Sequence, residues 1–411
     1  MMSNLKDRAL SKAAIPCLFY LVFFFASSHC FAENDTPSIT SRFDKFIDNG
    51  GYILGGDNEP IAAANADTLF VPASILKIVT SLGALHILGP DFRFHTEFYL
   101  SGDNDLYIKG FGDPFLTSEE ITIIIRKLET LGAKEINNIF LDGGAFQLEK
   151  DVDGRENSLN PYDAANSAIA ANFNTLHLKK SPNGAIVSAE AQTPTLPIMG
   201  RLGRQLPPGT HRINLTNKAV DTFIHTGELF RAIQKKMGLA GKGIIGPRAV
   251  PADITLFYSH PSNRSLEQVI SGLMLYSNNF IANQLYLACG TAKEGYPATW
   301  SKSRRAFQRF LTSLGLTEKD IVMVEGSGLS RSNLVTPAAM LKILRAFEPH
   351  DHLLAIKEGN MIKSGTLTGV YCYAGFFPGD KNGKPFVIML NQPKNHRDDV
   401  LKLLEKISRQ S

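Results

Sequence analysis

The sequence is poor in cysteine. Cys17 and Cys30 stand near its start, and only Cys289 and Cys372 lie in the body of the chain. Two residues so far apart establish no disulfide, although an exported compartment would permit one. Long apolar runs are scarce as well. After the first stretch nothing approaches the ~20 apolar residues of a spanning helix. No basic run is interleaved with aromatics, and the formal charge is only +4, which excludes nucleic acid as the expected partner. No metal-ligand cluster and no internal repeat is visible, so neither a metal nor another cofactor is expected.

What is present is globular. At 411 residues, with 44% hydrophobic and 20% charged content, the chain can hold two or three soluble domains. Lys6, Arg8 and Lys12 precede an apolar run over residues 15–26, and Ser27-Ser28-His29-Cys30-Phe31-Ala32 forms a short exit. This pattern predicts a secretory leader over residues 1–32, cleaved after Ala32. An uncleaved anchor is the alternative, for which the run is short. A lipoprotein signal at Cys30 is another, against which stands His29 where a small residue is usual. The expected product is an exported, periplasmic protein, with peripheral membrane contact left open.

Periodicity predicts the following elements. Residues 38–47 read as a short helix and 52–54 as a strand. Residues 95–100 and 106–108 read as a hairpin around Ser101-Gly102-Asp103-Asn104. Thr117-Ser118-Glu119-Glu120 caps a helix to about Leu131, and 136–141 is a strand. Residues 143–210 are turn-rich, and 226–237 is a helix. From 255 onward helices dominate, over 265–275, 279–288, 300–314 and 337–347. A hairpin over 361–377, a buried strand at 386–390 and a closing helix over 398–408 follow.

The chain reads as organised around Val71-Pro72-Ala73-Ser74-Ile75-Leu76-Lys77. Pro72 precedes a helical pattern that ends at Gly89-Pro90. Ser74 and Lys77 share one face of its first turn. A lysine in this apolar setting loses its proton more readily and could then activate the serine. Ser-x-x-Lys is a short pattern, and Ser3-Asn4-Leu5-Lys6 is a chance copy of it.

Two later stretches add weight. Ser277-Asn278-Asn279 sits between two amphipathic helices, whereas Ser158-Leu159-Asn160 and Ser181-Pro182-Asn183 match the same pattern among ordinary turns. Lys363-Ser364-Gly365 is the only Lys-[Ser/Thr]-Gly and enters a strand, where a glycine often marks close approach of a ligand. Ser-x-x-Lys, Ser-x-Asn and Lys-Thr-Gly, in that order, mark the penicillin-recognising serine enzymes. With Val71-Pro72-Ala73-Ser74, Gly112-Asp113-Pro114, Glu325-Gly326-Ser327-Gly328-Leu329-Ser330-Arg331 and Lys363 through Val370, the chain resembles the class C low-molecular-mass penicillin-binding proteins, the D-alanyl-D-alanine carboxypeptidases and endopeptidases. The departures are Ser364 for threonine, Asn278 for aspartate and Glu325 where aspartate is common. The turn-rich insert also looks reduced.

The resemblance implies an α/β transpeptidase-like fold, an antiparallel sheet with helices on both sides. Residues 33–90 and 251–411 would form it, split by a β-rich insert over 91–250. It implies acyl transfer on peptidoglycan peptides, with β-lactam antibiotics as inhibitors. Ser74 would be the nucleophile, Lys77 its base, and Ser277 a proton relay. Asn279 would bind the substrate amide, and Lys363 and Ser364 its terminal carboxylate. The N–H groups of Ser74 and Thr366 would hold the oxyanion. The other readings are a serine β-lactamase, against which the long insert argues, and a non-catalytic peptidoglycan-binding protein, which needs no nucleophile. An exported protein with chance motifs is the blandest.

Overall fold

The computed structural model describes residues 42–148, 152–215, 218–379 and 383–410. The expected leader lies outside them. The two ends of the described chain meet in one antiparallel sheet. Its order is Ala355–Lys357, Asn360–Leu367, Val370–Phe377, Lys384–Leu390, Gly50–Gly55, Pro60–Ala64. Gly50 lies opposite Leu390 and Leu54 opposite Phe386, so the early strand closes against the late hairpins.

The sheet has two buried faces. Ile53, Cys372, Ala374, Val387 and Met389 face a core built with the helices Leu76–Leu88, Leu266–Tyr276, Asn279–Glu294, Trp300–Ser313 and Pro337–Phe347. Tyr52, Leu54, Tyr373, Phe386 and Ile388 face Val400, Leu401 and Leu404 of the closing helix Arg397–Ser408. Strand alternation explains this division: neighbours in sequence point to opposite sides. Residues buried on both faces read as the continuous apolar run seen at 386–390.

A second sheet runs Leu256–Pro261, His95–Leu100, Leu106–Gly110, Ile139–Asp142, Ile245–Pro247. Its first three strands are antiparallel and its last pairings parallel. The helices Ser118–Thr130 and Ala219–Lys236 supply Ile121, Ile124, Leu128, Leu229 and Phe230 to its core. Ile186–Ser188, Thr175–Lys180 and Gly209–Asn214 make a smaller antiparallel sheet. The second sheet takes its edge strand from Leu256–Pro261, on the C-terminal side of the expected boundary at residue 250.

Local signals set the helix starts. Thr117 accepts a hydrogen bond from Glu120 N at 3.4 Å. Ser265 and Gln268 form a reciprocal capping box. Such caps contribute about 1 kcal/mol each. Three expectations are corrected. In the described part of the helix expected over 38–47, residue 42 is in 3-10 conformation and 43–46 form turns. The helix expected over 226–237 is Ala219–Lys236, and a short helix, Pro197–Gly203, stands within the turn-rich region.

Candidate active site

Ser74 sits in a 3-10 turn, Ala73–Ile75, that runs into the Leu76–Leu88 helix. Ala73 is left-handed, with φ +48°. That conformation costs an L-residue about 1–2 kcal/mol, and it is held by close packing on both sides. A Cβ on Gly365 would lie 2.7 Å from Pro72 O and 3.0 Å from Ser74 N. The strand of the Lys-Ser-Gly stretch therefore runs directly against the backbone of the serine, and only glycine fits there.

Lys77 is wholly buried. Its Nζ lies 2.9 Å from Ser74 Oγ, 2.8 Å from Asn279 Oδ1 and 2.6 Å from Ser327 O. Burial pushes its pKa well below the ordinary lysine range. Lys363 pushes the same way, and Glu325 opposes both. A neutral amine beside a hydroxyl is the arrangement that general-base activation of a serine requires.

Ser277 ends the Leu266–Tyr276 helix in the left-handed region, φ +50°. Asn278 then caps the next helix, accepting from Ile281 N at 3.1 Å. Asparagine is among the best capping residues, so its place in the middle of Ser277-Asn278-Asn279 is explained locally. This tight turn presents Ser277 to Lys363, whose Nζ donates to Ser277 Oγ at 2.8 Å and to Ser364 O at 3.0 Å. Burial brings Lys363 down to about 8.

The structure thus gathers Ser74, Lys77 and Asn279 into one hydrogen-bonded group, and Ser277 and Lys363 into another. A cleft of about 770 Å³ is lined by Ser74, Ser277, Asn279 and Thr366, with Asp153, Arg155, Tyr162 and Arg331 among its walls. Lys363 is buried behind it. Ser364 lies opposite Tyr373 and Thr366 opposite Tyr371, whereas Lys363 lies opposite Ala374. Ser364 and Thr366 therefore share the face away from Lys363, and both are exposed.

Sequence reasoning assigned no role to three contributors. Glu325 is fully buried and accepts from Ser327 N, Ser327 Oγ, Gly328 N, Ser330 N, Asn283 Nδ2 and Asn333 Nδ2. It folds the loop whose Ser327 carbonyl receives Lys77. Its only signal was its place in the Glu325–Arg331 stretch. Tyr162 O accepts from Asn279 Nδ2 at 3.2 Å, which brings the turn Pro161–Asp163 to the cleft; Asn160-Pro161 reads only as a turn. Arg397 donates to Thr366 Oγ1 at 2.7 Å, and no local pattern marks it. Among the described residues no group of three His, Cys, Asp or Glu could hold a metal ion. Cys289 and Cys372 are buried and free.

A serine against a buried lysine, on this sheet, defines a serine peptidase of the penicillin-recognising kind. Residues 54–194 and 179–359 match the D-Ala-D-Ala carboxypeptidase 3 (S13) family. The chain belongs to that family, whose members are class C low-molecular-mass penicillin-binding proteins. It is 24% identical to D-alanyl-D-alanine carboxypeptidase DacB of Haemophilus influenzae, over 88% of this chain and 89% of that protein. It is 25% identical to a D-alanyl-D-alanine carboxypeptidase of Actinomadura sp., over 81% of this chain and 75% of the other. Its fold is similar to two crystal structures of penicillin binding protein 4 (dacB) from Haemophilus influenzae, the second complexed with a β-lactam. The TM-scores are 0.73 and 0.68, at 22% identity, covering 91% of this chain and 99% of that one.

Proposed function

We propose that the protein is a serine D-Ala-D-Ala carboxypeptidase acting on peptidoglycan stem peptides, with endopeptidase action on cross-links at the same site. In this reading residues 33–90 and 251–411 are the catalytic portion, except for the Leu256–Pro261 strand, which joins the insert over 91–250, and the protein works in the periplasm. The observation that carries it is the contact of Lys77 Nζ with Ser74 Oγ, 2.9 Å apart, with the lysine wholly buried.

Ser74 Oγ attacks the carbonyl carbon of the penultimate D-Ala, and its proton passes to neutral Lys77. The N–H groups of Ser74 and Thr366 hold the oxyanion. The C–N bond then breaks, and the departing nitrogen takes the proton through the Ser277 hydroxyl. Lys363 orients that hydroxyl, and its positive charge helps to keep Lys77 neutral. Asn279 fixes Lys77 through Oδ1 and offers its amide to the substrate backbone. Water attacks the ester on Ser74, giving its proton to Lys77, which returns it to Ser74 Oγ. Ser364 and Thr366 donate to the terminal carboxylate. A β-lactam acylates the same serine, in keeping with the β-lactam complex of the Haemophilus protein.

The test is incubation with purified peptidoglycan, followed by chromatography of the digested products. Release of free D-Ala, or conversion of cross-linked dimers to monomers, absent in Ser74→Ala, is the expected result. Unchanged products from a protein that still binds penicillin would favour the binding-module reading instead.

A further inference from the structure

Thr366, which lines the cleft, meets Arg397 on the outer face of the main sheet. Arg397 opens the closing helix Arg397–Ser408. Its Nη1 donates to Thr366 Oγ1 at 2.7 Å and to Gly365 O at 3.1 Å. The guanidinium lies over the Tyr373 ring, 4.5 Å from its centroid, and Tyr373 is itself buried. Packing beneath and two hydrogen bonds fix the position of the charge.

Arginine can only donate hydrogen bonds. The Thr366 oxygen therefore spends a lone pair on Arg397, and its own proton is free to point into the cleft that Thr366 lines. The neighbouring acid does not neutralise the arginine by contact. Asp398 Oδ1 accepts from Lys357 Nζ at 3.1 Å and from Tyr373 Oη at 2.9 Å. Among the described residues Arg397 forms no ion pair. Lys357 Nζ, 4.9 Å from the centroid of the same ring, is the partner that balances Asp398. The exposed Ser364 shares that face.

We infer that Arg397 is a specificity residue: it sets the Thr366 hydroxyl as a donor and supplies the cationic charge that selects a substrate ending in a free carboxylate. The inference rests on the D-Ala-D-Ala reading above and refines it. Lys363, buried and turned toward Ser277, is left to the proton relay. Charge for the carboxylate comes from the other face of the strand.

The experiment measures kcat/KM on diacetyl-L-Lys-D-Ala-D-Ala and on its C-terminal amide, for wild type, Arg397→Gln, Arg397→Lys and Arg331→Gln. Wild type prefers the acid. In Arg397→Gln the acid falls by about 30- to 100-fold, as loss of a charge-assisted contact implies. The amide falls by less than about threefold, so the preference collapses. Arg397→Lys keeps the charge without the planar fork and is intermediate. Equal losses on acid and amide would mean a structural prop only and would overturn the inference. So would loss of the preference in Arg331→Gln with Arg397→Gln unaffected. Acylation by benzylpenicillin and by its methyl ester is the second measurement, since the penicillin carboxylate stands in for the terminal one. If wild type cleaves neither peptide, the carboxypeptidase reading falls, while the penicillin pair still decides the role of Arg397.

Discussion

A Cβ on Gly328 would fall 1.9 Å from the carbonyl oxygen of Ala73. The Glu325–Arg331 loop and the turn carrying Ser74 are thus pressed together backbone to backbone, and the loop holds the left-handed Ala73 in place. Gly328 also has φ +80°, so a side chain there is disfavoured twice. Gly328→Ala should lower the second-order rate of acylation by a fluorescent penicillin about a hundredfold or more, equivalent to ~2.7 kcal/mol. Rates within about threefold of wild type would show that this contact does not position Ser74.

Glu325 can be tested by charge and by length. Its Oε1 accepts from Gly328 N, Ser330 N and Asn333 Nδ2, and its Oε2 from Ser327 N, Ser327 Oγ and Asn283 Nδ2. In Glu325→Gln, whichever way the amide turns, an NH2 group faces three donors. Each buried group left unsatisfied costs about 1–3 kcal/mol. Thermal unfolding should show a loss of several degrees, with acylation falling about 100-fold or more. Glu325→Asp keeps the acceptors and should retain much more activity. Equal damage in both variants would contradict a role for the carboxylate itself.

The pH profile reports on Lys363. Burial lowers it to about 8, so its charge is present below that pH and lost above. Lys77 must instead be neutral, and its pKa is lowered further by the charge on Lys363. The profile of kcat/KM should therefore have an alkaline limb near pH 8. Lys363→Arg, whose charge does not titrate, should lower the rate yet remove that limb. A limb that stays at the same pH in Lys363→Arg would assign it to another group.

Stability in mild acid has a separate origin. His225 is buried with neither ring nitrogen partnered among the described residues, and burial lowers its pKa to about 4. Unfolded, it titrates near 6.5. As pH falls from about 6.5 to 4, the unfolded chain binds a proton that the folded one refuses, so stability falls, by about 3 kcal/mol in all. Asp113, raised by burial to about 6, acts with the opposite sign, since the folded state takes its proton first. The comparison with His225→Leu separates the two. The melting temperature of wild type should drop more steeply between pH 7 and 4.5 than that of the variant. Parallel curves would remove His225 from the account.

Much of the site could be read in advance because its parts are local. Ser74 and Lys77 are one helical turn apart, the Ser265 capping box fixes the helix that delivers Ser277, and the 386–390 run can only be a buried strand. Local patterns fail where tertiary contact decides. Pro197–Gly203 is too short for periodicity, and the start of Ala219–Lys236 is masked by the buried polar residues Asp221 and Thr222. Tyr162 reaches the cleft, and Arg397 reaches Thr366, from elements distant in sequence, which no spacing rule can anticipate. The opposite directions of Lys363 and Ser364 follow from simple strand alternation, and that separates the two residues expected to share one carboxylate.

The central claim is that Ser74, activated by Lys77, becomes acylated. The direct measurement is mass spectrometry of the protein after incubation with benzylpenicillin, with the adduct mapped by peptide digestion. Wild type should gain one penicilloyl group, on the peptide containing Ser74. Ser74→Ala should gain none while its melting curve stays close to that of wild type. Lys77→Ala should acylate at least about a thousandfold more slowly, as expected when a general base is removed. An adduct on another residue, or undiminished labelling of Ser74→Ala, would contradict the account.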